Sequence, residues 1–588
     1  MFPAMFPAMF RALLLLCGFV LPAWSVRAAA KPNIVIILTD DLGWSDLGCY
    51  GSPWKNTPHL DRLAAEGIRF TQGYAAQPIC SANRAALMTG RTPARLNLTD
   101  FIPGRPVLPS QKLIRPQITL QLPLEEDTLA ERLQPAGYVS AIFGKWHLGG
   151  PKFNPLQQGF GHYYAGQANT TPGPEEGGKG EYDLTAKAIA WMAAQPKDRP
   201  FFCYLAHNTP HIPLGAKPEL EEQYRKAANP AYAAMMATLD DCTGQLLSAL
   251  DTQGRRADTL VIFLSDNGGL STVEGQRTPA TSNAPLRGGK GALYEGGTRV
   301  PWIMRWPGRL PAGKTETTPV MATDLLPTLM AFAGLPVPDQ LDGIDLSGFL
   351  TTGKRPGRDT LCWHYPHYSN QKGFPAGSIR HGDWKLIESY DDGHLELYNL
   401  REDPAETQDL ARTQPLLVQQ LLAKLHDWKK SVNARPMQGP NPDYDPAATW
   451  NLARPNQAGV IALQASHAEV IGTVLRYEPD PLKNTLGFWT RKEDQAAWDF
   501  QVPAPGRYKI TVHQGCGPGQ GGSLVHVMAG PVTLPFTVQE TASFQDFRPV
   551  VVGEASLPAG RSRLTLAPQT KQAGAVMDVR LVTLEPLP

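Results

Sequence analysis

Four apolar segments share one pattern, a β-branched or aromatic run that ends abruptly in polar residues. The first, residues 33–39, is hydrophobic at nearly every position, which is typical of a strand buried on both faces of a sheet. Segments with helical periodicity alternate with these runs, and such alternation predicts an α/β fold. The predicted strands are 33–39, 138–143, 201–205 and 259–264, and the predicted helices are 60–67, 127–137, 183–195 and 229–253. We predict one large, mostly parallel sheet flanked by helices over residues 31–355.

The pattern changes after residue 355. Short alternating segments followed by a helix over 414–431 predict a small antiparallel-sheet subdomain at residues 356–431. Repeated Pro, Asn and Gly predict a linker at residues 432–449. Residues 450–588 combine short strands with Gly/Pro turns and show almost no helical periodicity, which predicts an appended all-β sandwich.

The first 30 residues have the features of a secretory signal peptide. Arg11 precedes an apolar run that ends at Ala23, and the Ala28-Ala29-Ala30 sequence offers a small-residue cleavage site. The run is short for a transmembrane anchor and contains Pro22. We expect a secreted or periplasmic protein with no transmembrane anchor after cleavage near Ala30.

Charge and cysteine content exclude several classes of protein. Lys+Arg 55 against Asp+Glu 54 leaves a formal net charge of +1, so no global charge favours a nucleic-acid partner. Of the seven cysteines, Cys17 lies in the predicted signal peptide, and the rest are scattered without metal-finger spacing. They do not indicate a small disulfide-stapled scaffold, although one or two bridges remain open.

Residues 80–91, CSANRAALMTGR, predict a helix that begins near Cys80. Ser81 can cap it and Gly90 can end it. The helix dipole and free N–H groups favour an anion at this end, and the i, i+4 spacing brings Arg84 to the face that carries Cys80. The alternative is a small buried cysteine at an ordinary helix start.

Two further polar pairs follow buried strands and predict a metal site. Asp40 and Asp41 end the first strand, and Asp266 and Asn267 end the strand at 259–264. The carboxyl ends of parallel strands share one edge of a sheet, and this oxygen-rich set suits Ca²⁺ or Mg²⁺ rather than zinc. The alternative is that these residues only form turns and helix caps.

Cationic and protonatable residues near the other strand ends complete a predicted anion site. They can hold a tetrahedral oxyanion and transfer protons, as sulfuryl or phosphoryl transfer requires. Each of them alone is more often a solvated or structural residue, and His207 is the one for which the two interpretations are balanced. The candidates are Arg84, Lys145, His147, His207, His211 and Lys290.

Together these motifs resemble the sulfatase family of the alkaline-phosphatase-like superfamily. The resemblance covers about residues 32–430 in the family's order. Its motifs are Asp40-Asp41, the signature from Cys80 to Thr89-Gly90-Arg91, Gly144-Lys145-Trp146-His147-Leu148-Gly149, Thr209-Pro210-His211, Ser265-Asp266-Asn267-Gly268-Gly269, and Gly288-Gly289-Lys290 with Glu295-Gly296-Gly297. The resemblance implies an alkaline-phosphatase-like fold and a sulfuric ester hydrolase.

The resemblance also implies a role for each candidate. Cys80 is oxidised to formylglycine, whose hydrate attacks sulfur, while Arg84 and Lys145 hold this residue and His147 helps to expel sulfate. His211 and Lys290 contact the sulfate, with His207 as a further lining residue. Ca²⁺, with Mg²⁺ as the lesser alternative, is bound by residue 80 together with Asp40, Asp41, Asp266 and Asn267. The second hydroxyl of the hydrate allows the sulfate ester to be eliminated with return of the aldehyde.

One position departs from the common family signature. The family usually has proline two residues after the cysteine, often followed by serine, whereas this chain has Ala82 and Asn83. The cysteine-alanine-arginine variant resembles patterns accepted by radical-type maturases. We therefore expect a formylglycine-generating maturase as a partner, and its type stays open.

The sulfate end of the substrate is better defined than the rest of it. Secretion and an added β-sandwich favour a sulfated carbohydrate, although another sulfate ester fits the same site. Trp489, Trp498 and Tyr508 can stack on sugar rings, or they can be sandwich core. The alternatives are a phosphomonoester or phosphonate ester hydrolase of the same superfamily and an unmodified, inactive carbohydrate-binding homologue.

Overall fold

The computed structural model describes residues 31–167, 169, 179–274, 277–446, 452–456, 458–472, 474–478 and 483–588. The predicted signal peptide, residues 1–30, lies outside these residues. Within them, no helix combines the length and apolar character needed to cross a membrane. All six cysteines of the described part carry free thiols.

A nine-stranded sheet forms the centre of residues 31–431, which the resemblance predicts to be the catalytic region, in the order β10-β2-β8-β7-β1-β6-β4-β5 with β9 beside β2. Most neighbours are parallel, but β8 runs antiparallel to both β2 and β7. The predicted mostly parallel α/β sheet is confirmed. Its strands, with β3 outside it, are β1 Asn33–Thr39, β2 Ile68–Tyr74, β3 Leu113–Ile114, β4 Val139–Gly144, β5 His162–Tyr164, β6 Phe201–Ala206, β7 Thr259–Ser265, β8 Arg299–Arg305, β9 Lys314–Glu316 and β10 Val320–Met321.

Strand β1 shows why the sheet forms. All seven of its residues are buried, and it pairs in parallel with β6 on one side and β7 on the other. Ile34 and Ile36 point into one hydrophobic core, and Val35 and Ile37 point into the core on the opposite face. A strand between two helical layers has no polar face, which explains its uninterrupted apolar run.

Helices cover both faces of this sheet. The helices of this part of the chain, the last of which packs on the second sheet described below, are α1 Pro58–Ala65, α2 Cys80–Thr89, α3 Pro93–Leu96, α4 Leu129–Leu133, α5 Glu181–Ala194, α6 Pro218–Gln223, α7 Pro230–Thr252, α8 Glu295–Thr298, α9 Leu325–Phe332, α10 Ser347–Thr352 and α11 Pro415–Ser431. Short 3-10 turns extend several of them, such as Gln134–Ala136 after α4.

The C-terminal part of the catalytic region is a separate antiparallel sheet. It contains β11 Thr360–Tyr365, β12 Ala376–His381, β13 Trp384–Ser389 and β14 Leu395–Asn399, in that order. Helix α11 packs on this sheet around Ile379, Leu386 and Leu425. The predicted antiparallel strands and closing helix are therefore present.

Residues in the predicted linker contact the catalytic region. β15, Gly439–Pro440, pairs antiparallel with β3, and the Asn441 side-chain amide donates to the backbone oxygens of Leu108 and Gln111. These contacts hold the first half of the segment against the loop before β3.

The remaining strands form two six-stranded, mainly antiparallel sheets around one core. Trp489, Trp498 and Tyr508 are buried in that core, so they are packing residues and not a sugar-stacking surface. The strands are β16 Leu452–Ala453, β17 Ile461–Gln464, β18 Glu469–Ile471, β19 Arg476–Glu478, β20 Thr485–Gly487, β21 Gln495–Val502, β22 Gly506–Gly515, β23 Leu524–Ala529, β24 Val532–Thr537, β25 Arg548–Leu557, β26 Gly560–Pro568 and β27 Asp578–Pro586.

Candidate active site

Helix α2 places Cys80 at its first position and buries all ten of its residues. Gly90 ends the helix with φ 67°, as predicted. The predicted Ser81 cap is wrong, because Ile79 occupies the cap position and makes no side-chain capping bond. Ser81 instead accepts a hydrogen bond at Oγ from the backbone N–H of Ile102, at 3.0 Å, and so joins the helix to the loop after α3.

The two acidic strand ends meet beside Cys80. β1 and β7 are paired in register up to Thr39 and Ser265, which brings the Asp40-Asp41 pair next to the Asp266-Asn267 pair. The Cys80 Sγ lies 3.4 Å from Asp40 Oδ1 and 4.0 Å from Asp41 Oδ1. Burial is the largest cause that raises the pKa of the Cys80 thiol, followed by the Asp266 carboxylate. The unmodified side chain is therefore a neutral thiol and not an activated thiolate.

The arrangement of ligand atoms fits a divalent cation. Among the residues described, Asp40, Asp41, Cys80 and His211 offer ligand atoms that all lie within 4.8 Å of one another. Asn267 donates from Nδ2 to Asp41 Oδ1, and its own buried Oδ1 has no hydrogen-bond partner in the described part of the chain. Such an unpaired buried oxygen beside two carboxylates is what a hard, oxygen-binding cation requires.

Asp266 is close to these atoms but lies outside the four-residue group. Its Oδ2 accepts from Arg84 Nε at 3.0 Å and from Arg84 Nη2 at 2.8 Å, while its Oδ1 accepts from the Asp41 N–H at 3.2 Å. Burial tends to lower the pKa of the Arg84 guanidinium, but the Asp266 carboxylate outweighs burial and raises it. Arg84 is thus a fixed positive charge.

Two lysines complete the charge balance. Lys145 Nζ donates to Asp40 Oδ2 at 2.5 Å, and Lys290 Nζ donates to Asp41 Oδ2 at 2.7 Å. Burial would raise the pKa of Asp40, but Lys145 and the other nearby cationic groups hold it well below its usual range. Burial would likewise lower the pKa of Lys290, but Asp41 raises it. Both lysines stay charged, as binding of an anionic group demands.

The three histidines take different positions. His147 has a left-handed backbone, φ 60°, and its Nε2 lies 3.0 Å from the Ile102 carbonyl. His211 Nε2 lies 2.9 Å from Lys290 Nζ and 3.6 Å from Asp41 Oδ2. His207 is buried, and neither ring nitrogen has a partner among the described residues. Burial lowers the pKa of all three, that of His207 to about 4, so their imidazoles are neutral.

Two polar residues near His211 were missed by sequence reasoning. Asn169 Nδ2 lies 2.9 Å from His211 Nδ1, and the buried Lys179 Nζ donates to Asn169 Oδ1 and to the His211 carbonyl. Burial lowers the pKa of Lys179 to about 7. Both residues come from a Gly/Pro-rich loop, where only an unusual lysine among glycines could have drawn attention.

The chain is similar to known sulfatases along its catalytic region. The Sulfatase family matches residues 32–335, and the family described as N-sulphoglucosamine sulphohydrolase, C-terminal, matches residues 289–432. Human arylsulfatase A is 38% identical over 391 residues, covering 59% of this chain and 73% of that protein. Human N-acetylgalactosamine-6-sulfatase is 36% identical over 362 residues, covering 56% and 67%.

Solved structures agree with the sequence comparisons. Ps i-CgsB in complex with k-i-k-neocarrahexaose superimposes with a TM-score of 0.59 at 30% identity, covering 68% of this chain and 93% of that one. A complex of BT4656 with D-glucosamine-2-N,6-O-disulfate has a TM-score of 0.53 at 22% identity and shows the shared fold alone. With the family match over more than half of its length, this chain belongs to the sulfatase family and is a sulfuric ester hydrolase.

Proposed function

We propose that the chain hydrolyses a sulfate ester on a carbohydrate, with formylglycine at residue 80 and a bound divalent cation, Ca²⁺ in preference to Mg²⁺. The observation that carries the proposal is the convergence of Cys80, two carboxylates and the cations Arg84, Lys145 and Lys290 at one buried point. A sulfate group carries its charge on oxygens that such cations can neutralise.

Asp40, Asp41, Asp266 and Asn267 would hold the cation together with residue 80. Oxygen atoms dominate this set, and the unpaired Asn267 Oδ1 supports a further ligand there. The bound cation supplies positive charge that polarises the sulfate and stabilises negative charge as the ester breaks.

Residue 80 becomes competent through oxidation of its thiol. A formylglycine-generating maturase would supply the oxidant, the sulfur would leave, and the side chain would become an aldehyde that hydrates. The hydrate offers one hydroxyl for attack on sulfur and a second through which the sulfate is eliminated. Ala82 in place of proline is compatible with a radical-type maturase.

The surrounding side chains would orient and neutralise the reacting groups. Arg84 and Lys145 would hold residue 80, since both lie against Oδ2 of Asp40, the carboxylate whose Oδ1 faces Cys80. Lys290 and His211 would contact the sulfate, with His207 lining the site. His147, anchored on the Ile102 carbonyl, would help to expel sulfate by moving a proton at its ring nitrogen.

The names of similar proteins support a sulfated carbohydrate as substrate. One relative is an N-acetylgalactosamine-6-sulfatase, and a similar solved structure contains a neocarrahexaose. A signal peptide at residues 1–30 would deliver the enzyme to the periplasm or the outside of the cell, where polysaccharides are accessible.

We further propose the domain division 31–355, 356–431, 432–449 and 450–588. Among the described residues, the sandwich core is built from the range 453–584 alone, which supports an independent accessory domain. The contacts of Gly439–Pro440 and Asn441 with the loop before β3 make the N-terminal half of residues 432–449 part of the catalytic unit's surface.

Side-by-side kinetics on an aryl sulfate and the matching aryl phosphate test the reaction class. We expect kcat/KM to be higher for the sulfate, and Cys80→Ala to abolish this hydrolysis. A preference for phosphate, or full sulfatase activity of Cys80→Ala, would contradict the proposal.

A further inference from the structure

Two loops lie against the candidate active site but contribute none of the residues predicted for it. In the loop after α3, the Ile102 N–H donates to Ser81 and the Ile102 carbonyl faces His147. The loop after β11 packs on Gly291, next to Lys290, so closely that a Cβ on Gly373 would lie 1.7 Å from the Gly291 carbonyl oxygen. Both loops therefore border the place where a bound sulfate ester would extend from residue 80.

Three side chains from these loops form a buried polar group, which we call the Asp100 cluster: Asp100, Arg105 and His367. Asp100 and His367 are fully buried. Arg105 Nη1 lies 3.7 Å from Asp100 Oδ1, and His367 Nδ1 lies 3.8 Å from Asp100 Oδ2. These separations are ion-pair contacts that are too long for hydrogen bonds.

Each member of the Asp100 cluster has a buried polar atom that makes no hydrogen bond within the described part of the chain. Asp100 Oδ2, Arg105 Nη1 and His367 Nδ1 make no hydrogen bond to any residue in the described ranges. An unpaired buried polar group costs about 1–3 kcal/mol, so several in one place indicate a bound partner that supplies the missing bonds.

Other atoms of the same side chains are firmly anchored. Asp100 Oδ1 accepts from the Phe101 N–H at 2.9 Å, and His367 Nε2 lies 2.7 Å from Thr99 Oγ1. The Arg105 guanidinium stacks on the Phe101 ring, 4.7 Å from its centre. The unpaired atoms are therefore held in fixed positions, as a specific binding site requires.

We propose that the Asp100 cluster binds hydroxyl groups of the sugar ring whose sulfate ester is held at residue 80, and so determines substrate specificity. The cluster combines an acceptor, a donor and an imidazole, which matches hydroxyls, since each hydroxyl both donates and accepts. The inference rests on the proposed function and deepens it.

Charged groups of both signs surround His367. Burial lowers the pKa of His367 to about 4, so its ring is uncharged at neutral pH. Glu274 accepts from Gln371 Nε2 at 2.6 Å. Arg105 also contacts Gln371, with Nη2 at 3.4 Å from its Oε1. Arg105 and Arg115 also act on His367, so a hydroxyl group would find both donors and acceptors at the cluster.

The test compares sugar and aryl substrates in the full-length, matured enzyme. Asp100→Asn keeps the Oδ1 acceptor for Phe101 and the shape of the side chain, while it replaces the unpaired Oδ2 and removes the charge that faces Arg105, so it preserves the fold better than truncation would. His367→Gln is the second variant. Lys372→Asn, an exposed change in the same loop as His367, is the matched control. The probes are N-acetylgalactosamine 6-sulfate, glucosamine 2-N,6-O-disulfate, a neocarrageenan oligosaccharide and an aryl sulfate.

We expect the ratio of kcat/KM for the best sugar probe to kcat/KM for the aryl sulfate to fall about tenfold or more in both variants, because each removes one bond that only the sugar makes. The control should keep the wild-type ratio. An unchanged ratio would overturn the inference, whether the variants keep both activities or lose sugar and aryl sulfate hydrolysis to the same extent. Wild-type hydrolysis of the aryl sulfate with none of the sugar probes would overturn it while leaving the sulfatase proposal intact. Failure on every sulfate would instead remove the proposed function, and this inference with it.

Discussion

At the scale of single residues, Asp266 connects the two halves of the candidate site. It holds Arg84 through two hydrogen bonds and the Asp41 backbone through a third. Asp41 itself has a left-handed backbone, φ 66°, which is uncommon for a residue other than glycine and often marks a functional constraint. The geometry of the acidic group therefore depends on Asp266.

Asp266→Asn should lower kcat/KM on an aryl sulfate by about 100-fold or more, because it removes one charge from the metal and Arg84 environment while keeping the side-chain shape. Bound calcium per protein should fall in parallel. Asp258→Asn, at the exposed opposite end of β7, is the control and should behave as wild type. Wild-type activity and calcium content in Asp266→Asn would contradict the assigned site.

The catalytic candidates were predictable from sequence, whereas the residues around them were not. Asp40, Asp41 and Asp266 each follow a buried strand directly, so local pattern and sheet topology together bring them to one edge. Asp100 and His367 are 267 positions apart and belong to irregular loops, and no local pattern relates them. The Ser81 prediction failed because its hydroxyl was recruited by Ile102, a tertiary contact that capping preferences do not anticipate.

At the scale of elements, close strand packing positions Lys145. Gly144 ends β4 with φ 100°, directly before Lys145, and it pairs with Ala206 of β6. A Cβ at Gly144 would lie 2.0 Å from the Ala206 carbonyl oxygen. Only glycine fits there, so the strand end cannot accept a side chain without moving Lys145.

Gly144→Ala should be destabilised by several kcal/mol and lose activity, since it combines an unfavourable φ with a backbone clash. Gly137→Ala is the matched control, because Gly137 has φ 87° but no atom within 4 Å of the added methyl group. The control should lose only about 1–2 kcal/mol, the backbone cost alone. Denaturant unfolding measures the free energy of unfolding of both variants. An equal decrease in the two would show that the structure relieves the clash at Gly144.

A buried charge network joins the antiparallel sheet to α8. Lys385 Nζ, on β13, lies 2.9 Å from Glu295 Oε1 and 2.9 Å from Glu406 Oε1. Burial raises the pKa of Glu406 from its ordinary value of 4.5 to about 7, with Glu295 adding to this and Lys385 opposing it. Burial would raise the pKa of Glu295, but Lys385, Arg299 and Arg380 hold it down to about 2. Among the described residues, Lys385 is the one cation that opposes protonation of Glu406, so Glu406 is the carboxyl group that prefers to be protonated.

This network predicts a pH dependence of stability. Because the folded pKa of Glu406 exceeds its unfolded value, its contribution to stability is full below about pH 4.5 and is lost as pH rises toward 7. Between pH 5 and pH 7.5, wild type should lose about 1–3 kcal/mol of unfolding free energy relative to Glu406→Gln. Chemical denaturation of both proteins across this range gives the difference, and parallel curves would contradict the shifted pKa.

At the scale of the whole molecule, the fold class was predictable from the sequence. The contact between the predicted linker and the catalytic region was less predictable. Alternation of strands and helices indicated the large sheet, and turn-rich sequence indicated the two sheets near the C-terminus. The pairing of Gly439–Pro440 with Leu113–Ile114 was not foreseeable, because a two-residue bridge between distant segments has no periodicity.

Removal of the sandwich should leave a folded sulfatase. A variant that ends at residue 446 keeps β15 and Asn441, so it should retain aryl sulfate hydrolysis within about threefold, since each domain of this size can support its own core. A variant that ends at residue 431 exposes the loop before β3 and should be less stable and less active. Equal behaviour of the two would show that β15 contributes nothing to the catalytic unit.

The central claim is that residue 80 acts as formylglycine in sulfate ester hydrolysis. Mass spectrometry of the peptide that spans residue 80, taken from an active preparation matured in its native host, tests this most directly. We predict a peptide in which aldehyde oxygen has replaced the thiol sulfur, in a proportion that follows the specific activity. An intact thiol at Cys80 in fully active enzyme would contradict the account.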